Sequence, residues 1–144
     1  MTKKIIALIL LLLLPLALTG CDKNIKTYNC YEHIEYYKNI DDVEFSQLDY
    51  TNDFTTYKLT LNIQEETFTI YRVHTNETKE TITGTFLKTE TSYIFSYDDA
   101  INQTIEQLAG KEEYFIVNKE LHLNHERNIE TATKVIGDKI VKFK

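Results

Sequence analysis

Several residue types are scarce in this chain. Its 144 residues include no tryptophan, one proline, four glycines and two cysteines. After residue 20 there is no proline and only three glycines remain, but all ten tyrosines and all seven phenylalanines lie there. A low-complexity linker would be rich in proline or glycine, and a disordered acidic tail would lack aromatic rings. Both classes are therefore excluded for residues 21–144, which are enough for one small domain and too few for two.

Positive charge is also scarce. The chain has 16 lysines and arginines against 22 aspartates and glutamates, which gives a formal net charge of −6. Removal of the first twenty residues, which hold Lys3 and Lys4, changes this charge to −8. Nucleic-acid binding needs a clustered excess of lysine and arginine, so we expect no nucleic-acid partner.

Catalytic motifs are absent from the sequence as well. There is no G-x-S-x-G motif and no glycine-rich phosphate loop, and serine occurs three times. Asp41-Asp42 and Asp98-Asp99 are adjacent carboxylates, whereas glycosidase acids face each other across a cleft. Helix caps or solvated turns explain these pairs. We therefore expect no enzymatic activity and no cofactor.

The first twenty residues have the organisation of a processing signal. Lys3 and Lys4 precede ten unbroken apolar residues at 5–14, and the apolar stretch extends to Leu18. A membrane-spanning helix needs about 20 apolar residues, whereas this length matches a signal-peptide core. The sequence that follows, Leu18-Thr19-Gly20-Cys21, resembles the lipobox of bacterial lipoproteins.

The lipobox resemblance implies a specific fate for the N-terminus. It implies cleavage between Gly20 and Cys21 and attachment of diacylglycerol, carrying chains such as palmitate, to the Cys21 thiol. Two acyl chains anchor a protein stably in a membrane. We thus expect a lipid-anchored protein on the extracytoplasmic face of the cell membrane. The alternative is an uncleaved signal anchor with an unrelated cysteine.

This interpretation divides the chain into three parts. Residues 1–20 are the signal peptide, residues 21–27 are a lipidated tether and residues 28–144 are a single β-rich domain. With Cys21 modified, Cys30 is the one remaining cysteine, so no disulfide can form within the mature chain. A reactive Cys30 would need a cationic neighbour such as His33; the alternative is a partly buried apolar residue.

Residues 55–98 predict an antiparallel meander. Threonine, tyrosine, phenylalanine, isoleucine and valine dominate there, as in strands. Apolar and polar residues alternate in four stretches separated by short polar turns, at residues 57–63, 67–73, 81–88 and 92–98. Within the third stretch, Gly84 marks a bulge or a point of close packing.

Two further features follow the meander. A hairpin is predicted from residues 113–117 and 120–124 around Asn118-Lys119. A turn at Gly137-Asp138 would then precede a closing strand at residues 139–143.

Two short helices are also predicted. Asp41 and Glu44 fit a capping box for one or two turns that include residues 43–48. Asp98 or Asp99 caps a second helix that ends at Ala109, ahead of Gly110. The predicted fold class is mainly β, a small antiparallel meander or partly closed barrel with one or two short helices.

The meander resembles that of small lipocalin-like bacterial lipoproteins. The resemblance rests on Tyr57-Lys-Leu-Thr-Leu-Asn, Thr67-Phe-Thr-Ile, Ile82-Thr-Gly-Thr-Phe, Tyr93-Ile-Phe and the later Tyr114-Phe-Ile-Val and Asn118-Lys-Glu-Leu-His-Leu. It implies a barrel with an interior pocket for a small apolar ligand. Many such domains open with a tryptophan-containing strand, and this chain has no tryptophan.

The aromatic residues allow two interpretations. In the first they replace aliphatic residues as core, with five rings pointing inward: Tyr57, Phe68, Phe86, Phe95 and Phe115. In the second, tyrosines line a cavity or binding face, because their rings are amphipathic. The candidate ligand-binding residues in that case are Tyr71, Tyr93 and Tyr97, with Tyr36, Tyr37 and Tyr50 as further members.

His122, His125 and Glu126 form an H-x-x-H-E sequence. This spacing is neither H-E-x-x-H nor H-x-x-E-H, the arrangements of metalloprotease helices. Both histidines are weak candidates for a metal ligand, and solvated histidines are the alternative.

The function predicted from the sequence is non-enzymatic. We expect a membrane-anchored lipoprotein that presents an acidic, tyrosine-rich β-domain to a protein or a small ligand. The alternative is a lipocalin-like barrel that binds a small apolar ligand in an interior pocket.

Overall fold

The computed structural model describes residues 23–98 and 110–144. Three predicted features lie outside the described residues: the predicted signal peptide, the lipobox-like sequence with Gly20 and Cys21, and residues 99–109 of the second predicted helix. Among residues 23–98 and 110–144, no helix has the length and apolar character needed to cross a membrane.

The described residues form ten strands, and the mainly β prediction is confirmed. Eight strands make a closed antiparallel barrel in the order β1-β3-β4-β5-β6-β7-β8-β10, because β10 pairs with β1. The short β2 and β9 flank β1 and β10. Closure leaves no long free sheet edge. The strands are β1 (Ile25–Asn39), β2 (Ser46–Asp49), β3 (Phe54–Asn62), β4 (Thr67–His74), β5 (Lys79–Lys88), β6 (Ser92–Tyr97), β7 (Glu112–Val117), β8 (Glu120–His125), β9 (Ile129–Glu130) and β10 (Lys134–Phe143).

β1 is the strand that closes the barrel. Its residues 25–29 pair with β3, while its residues 30–39 pair with β10. It begins at Ile25, inside the range that the sequence assigned to the tether. The sequence pattern did not predict β1, because a register shift between Cys30 and Glu32 moves the inward positions from even to odd residue numbers.

The helix predicted from the capping box at Asp41 and Glu44 is wrong. The segment turns at residues 40–41 and enters β2, which pairs with β1. β3 leaves β1 after Asn29, so the second half of that edge of β1 would otherwise be unpaired. Val43 is 91% exposed, and the predicted helix would have had no buried apolar face.

The turn predicted at Gly137-Asp138 is also wrong, since both residues lie inside β10. A register shift between β1 and β10 falls here, between the pairs Glu35–Lys139 and Tyr37–Ile136. The Phe45 ring lies so close that a Cβ on Gly137 would come within 2.6 Å of it. The glycine therefore marks a bulge with close packing, which resembles a turn in sequence.

Aromatic rings make up much of the core, as the first interpretation predicts. Tyr57, Phe68, Phe86 and Phe95 are buried, and Phe68 and Phe95 stack with ring centroids 4.3 Å apart. The inward position predicted for Phe115 is wrong, because Phe115 is 47% exposed. Its neighbour Tyr114 points into the barrel instead.

A Cβ on Gly84 would clash with the carbonyl oxygen of Ser96 and would lie 2.6 Å from the Phe68 ring. Gly84 is thus a point of close packing, as predicted.

The two ends of the barrel differ in their interior residues. The apolar end, as we name it, holds the turns at residues 63–66, 89–91 and 118–119, together with the start of β1 and the end of β10. The charged end is the opposite one, where β4 ends, β6 ends, β7 begins and β8 ends. Residues buried in the apolar half include Leu59, Leu61, Phe86, Tyr93, Tyr114, Leu121 and Phe143.

Candidate functional site

The candidate site is the charged end of the barrel interior. Three strands carry a charged residue in the phase that elsewhere points apolar residues inward. Arg72 continues the inward series of Phe68 and Ile70 in β4, and Lys139 lies between buried residues of β10. Glu112 precedes buried Tyr114 in β7. All three charged residues are buried.

Glu112 is the centre of a network that joins four strands. Its Oε1 lies 3.3 Å from Lys139 Nζ and accepts a hydrogen bond from the Tyr97 hydroxyl. Its Oε2 lies 3.1 Å from His125 Nδ1. Both carboxylate oxygens therefore have partners, as a fully buried carboxylate requires.

The partners of Glu112 keep its carboxylate ionised. Burial by itself raises the pKa of a carboxyl group. The positive charge of Lys139, with the hydrogen bonds from His125 and Tyr97, outweighs burial and lowers the pKa of Glu112 to about 2. Lys139 and Glu112 therefore form a buried ion pair.

A second cluster lies on β1. His33 Nε2 is 2.9 Å from Glu35 Oε1, and Arg127 Nη2 is 3.7 Å from Glu35 Oε2. Arg127 Nε donates to the carbonyl oxygen of Gly137 at 2.7 Å. Burial raises the pKa of Glu35, but the hydrogen bond with His33 and the nearby positive charges outweigh it and lower this pKa to about 2.

A third cluster forms the wall of an open cleft beside His33. Arg72 Nε lies 2.9 Å from Glu80 Oε2, and His74 Nε2 lies 2.8 Å from the same oxygen. The Arg72 guanidinium also stands over the Phe54 ring, 5.6 Å from its centroid. The cleft has a volume of about 250 Å³ and is lined by His33, Glu35, Tyr50, Asp53, Phe54, Arg72, His74 and Glu80.

Exposed acidic residues surround the charged end, and we call them the acidic rim. Its members are Asp41, Asp42, Glu44, Asp49, Asp53, Glu77, Asp98, Glu126, Glu130 and Asp138. A groove of about 500 Å³ opens within it, lined by Tyr36, Lys38, Phe45, Arg127, Asn128, Gly137 and Asp138. A negative rim of this kind attracts a positively charged partner.

The carboxyl groups at this end are ionised at neutral pH. A general acid or base works best with a pKa near the working pH, whereas the carboxyl groups of Glu35 and Glu112 have pKa values of about 2. Burial lowers the pKa of His33, which keeps its ring neutral.

The structure does not bring the three candidate tyrosines together. Tyr71 points outward from β4 and is 36% exposed, whereas Tyr93 is buried with its ring against Phe86. Tyr97 points inward to Glu112. Of the three, Tyr97 alone belongs to the charged end. Among the further members, Tyr50 lines the cleft and Tyr36 lines the groove.

The two candidate metal-ligating histidines point to opposite faces of β8. They are three positions apart, and successive residues of a strand face opposite sides. His122 Nε2 lies 2.8 Å from Glu120 Oε2 on the outside, and His125 Nδ1 reaches Glu112 on the inside. Among the described residues, no group of three or more histidine, cysteine or acidic side chains is placed to hold a metal ion.

Cys30 is partly buried. It packs against the aromatic core, and its Sγ donates to the carbonyl oxygen of Glu32 at 3.4 Å. Burial raises the pKa of the Cys30 thiol to about 12. The thiolate needed for nucleophilic attack is therefore disfavoured.

Sequence reasoning missed most of the charged end. A usable signal was present in β4, β7 and β10, where a charged residue occupies the apolar phase of an alternating strand: Arg72, Glu112 and Lys139. No comparable local signal marks His33, Glu35 or Arg127, because β1 changes phase at its register shift and Arg127 follows β8 in a loop.

We compared the chain with known protein families, with curated proteins and with solved structures. None of the three comparisons gives a match.

Proposed function

We propose that this chain is a bacterial lipoprotein, anchored through diacylglycerol on Cys21, whose barrel presents its charged end to a partner outside the cytoplasmic membrane. The observation that carries the proposal is the position of the lipobox. Cys21 lies four residues before Ile25, where β1 begins at the apolar end. A tether that leaves the apolar end holds the charged end away from the membrane.

Lipidation is tested with variants of the two cysteines. Cys21→Ser, or treatment of cells with globomycin, should leave an uncleaved precursor that carries no lipid, detected by intact mass. Cys30→Ser is the matched control and should be processed normally. Normal processing of Cys21→Ser would contradict the lipoprotein proposal.

The proposed role of the charged end is non-enzymatic binding. The acidic rim supplies long-range attraction for a positively charged protein surface, and the cleft beside Arg72 supplies short-range contacts. The three charged clusters described above hold the acidic rim and the cleft in place, since Glu35, Glu112 and Glu80 each contact a basic side chain.

Partner binding is tested by charge removal at one end of the barrel. Chemical crosslinking on intact cells should trap a partner on the wild-type protein, and a triple variant with Asp41→Asn, Asp42→Asn and Asp53→Asn should lose it. The control removes acids from the opposite end, with Glu65→Gln, Glu66→Gln and Glu90→Gln. Equal crosslinking of both triple variants would contradict binding at the acidic rim.

The second candidate function is a lipocalin-like barrel that holds a small apolar ligand. The closed barrel favours this function, but side chains occupy the space that the ligand would need. Phe95 lies 4.3 Å from Phe68 and 4.8 Å from Tyr114 between ring centroids. Native mass spectrometry of the mature protein decides the matter: a copurifying apolar molecule would support this alternative over the proposal.

A further inference from the structure

The outer surface of the apolar end carries an exposed patch of apolar residues. Leu87 is 61% exposed, Phe115 47% and Val117 40%. Leu87 precedes the turn at 89–91 and Val117 precedes the turn at 118–119, so both lie near the tips of hairpins. Ile116, at the rim of the barrel, is 37% exposed. We call these four residues the apolar patch.

Lysines accompany the apolar patch. Lys88 follows Leu87 and Lys119 follows the β7 strand, and both are exposed. Other exposed lysines of this end are Lys23, Lys26 and Lys144. The exposed acids here are Glu65, Glu66 and Glu90, so five exposed lysines face three exposed acids at this end of a negatively charged protein. Apolar side chains beside lysines are the combination that binds an anionic lipid surface.

The tether leaves the barrel at the same end. Ile25 is itself 43% exposed and begins β1 there. Three residues separate Ile25 from Cys21, and the four steps along the chain span at most about 14 Å when fully extended. A lipid on Cys21 therefore keeps this end of the barrel close to the bilayer.

We propose that the apolar patch and its lysines dock on the lipid surface in which the Cys21 anchor is held. This inference rests on the lipoprotein function proposed above. Docking gives the barrel a fixed orientation, with the acidic rim and the cleft facing away from the bilayer. The lipid then sets the distance between the barrel and the bilayer, and the apolar patch sets the orientation of the barrel.

The segment between β1 and β2 provides a contrast with the apolar patch. It also exposes apolar residues, since Val43 is 91% exposed and Phe45 46%. It lies at the charged end and carries Asp41, Asp42 and Glu44, which an anionic surface repels. Val43 is therefore a matched control: an exposed apolar residue on the same domain at the opposite end.

The absence of tryptophan from the chain makes a direct test available. Val117→Trp and Leu87→Trp place a single indole at the apolar patch, and Val43→Trp places one at the charged end. Each full-length variant is expressed in bacteria, purified with its lipid, and reconstituted into vesicles of phosphatidylglycerol and brominated phosphatidylcholine. Bromine quenches an indole that enters the acyl region.

Docking predicts that the indoles at positions 117 and 87 lose most of their fluorescence in brominated vesicles and emit at shorter wavelength. The indole at position 43 should be unchanged. Adding Lys88→Glu and Lys119→Glu to Val117→Trp should reduce the quenching.

Intact mass of the same samples separates this inference from the lipoprotein proposal. Lipidated protein without quenching at positions 117 and 87 overturns docking and leaves the anchor. Quenching without lipid overturns the anchor and leaves docking. The absence of both overturns both, and equal quenching at position 43 overturns the proposed orientation.

Discussion

The barrel interior uses aromatic rings at the apolar end and ionised side chains at the charged end, on the same eight strands. Phe68, Phe95 and Tyr114 contact one another through their rings, so their stabilisation comes from removing apolar surface from water and is independent of pH. Glu112 and Lys139 are equally buried. The cost of removing their charges from water is offset only while the two groups remain paired.

This difference is the reason that we assign the proposed binding role to the charged end. The Phe95 ring already packs against Phe68 and Tyr114, so a ligand could enter between these rings only if they moved. Buried ion pairs are weak contributors to net stability, and natural proteins often place such groups where they serve a site. The charged end is therefore the part of the barrel that we connect with binding.

The largest effect should come from acid, because it acts on the whole charged end at once. The folded-state pKa values of the Glu35, Glu80 and Glu112 carboxyl groups lie below their usual values, so their contribution to stability is present above about pH 4.3 and is lost as the pH falls through the folded-state values. For Glu35 and Glu112 these pKa values are about 2. Burial lowers the pKa of His33 as well, so the loss of stability should begin below about pH 6.5, where an unfolded histidine takes up a proton.

Urea unfolding measured at intervals from pH 8 to pH 2.5 checks this prediction. The midpoint should fall steadily below pH 6.5 and most steeply below pH 4. A midpoint that is the same at pH 7 and pH 3 would show that the charged end is not ionised as described.

Removal of one partner from the buried ion pair should have the next largest effect. Glu112→Ala leaves Lys139 charged and buried without its carboxylate, and we expect a loss of about 3–5 kcal/mol in the free energy of unfolding. Adding Lys139→Met should recover part of this loss, since the unpaired charge is then gone. Glu90→Gln, an exposed acid in a turn, is the control and should change stability by no more than about 0.5 kcal/mol.

A double variant less stable than Glu112→Ala alone would contradict the description of this pair. Denaturant titration by circular dichroism gives all four free energies under one condition.

An aromatic deletion at the apolar end should have a comparable effect without the pH dependence. Phe95→Ala removes a fully buried ring that contacts three others, and the expected loss is about 3–5 kcal/mol. Phe115→Ala, on the outside of β7, should cost no more than about 0.5 kcal/mol.

Chemical unfolding of the two phenylalanine variants at pH 7 and pH 5 tests the contrast. The loss for Phe95→Ala should be the same at both values. If Phe115→Ala proved the more destabilising, the inward and outward phases of β7 would be reversed.

The smallest effect is expected for an ion pair on the outer surface. Lys142 Nζ lies 2.9 Å from Glu32 Oε2, and both side chains remain about one-third exposed to solvent. Lys142→Met should change the free energy of unfolding by about 0–1 kcal/mol. Lys139→Met, three residues away on the inner face of the same strand, should cost several times more because it removes the cation that pairs with the buried Glu112 carboxylate. Similar values for the two would mean that burial has little influence on ion pairs in this barrel.

Much of the strand pattern was predictable because it is local. Alternation located β3 to β8 within a few residues, and Asn118-Lys119 predicted its hairpin, where both residues have positive φ as the tight turn requires. The same local reasoning produced the wrong helix near Asp41 and the wrong turn at Gly137. The capping-box residues and the Gly-Asp pair are each compatible with more than one kind of local structure. Long-range pairing with β1 decides which one forms here.

The candidate site was much less predictable than the fold. Arg72 and Lys139 occupy positions where the alternation of their strands predicts an apolar residue, so they could have been noticed. Their partners Glu80 and Glu112 lie on other strands, and no local sequence pattern identifies such pairs. The candidate tyrosines were chosen by residue type, and residue type does not say which face of a strand a side chain occupies.

The sequence by itself determined the signal-like N-terminus with its lipobox pattern, the acidic balance and the β character, because composition and short periodicities are properties of neighbouring residues. The tertiary structure alone decided that the barrel closes through β1 and β10, that charge collects inside one end, and that β1 starts at the other. Each of these depends on contacts between residues far apart in the chain, such as Glu35 with Arg127 or Cys30 with Phe143. The order of residues along the chain does not specify which distant strands will meet.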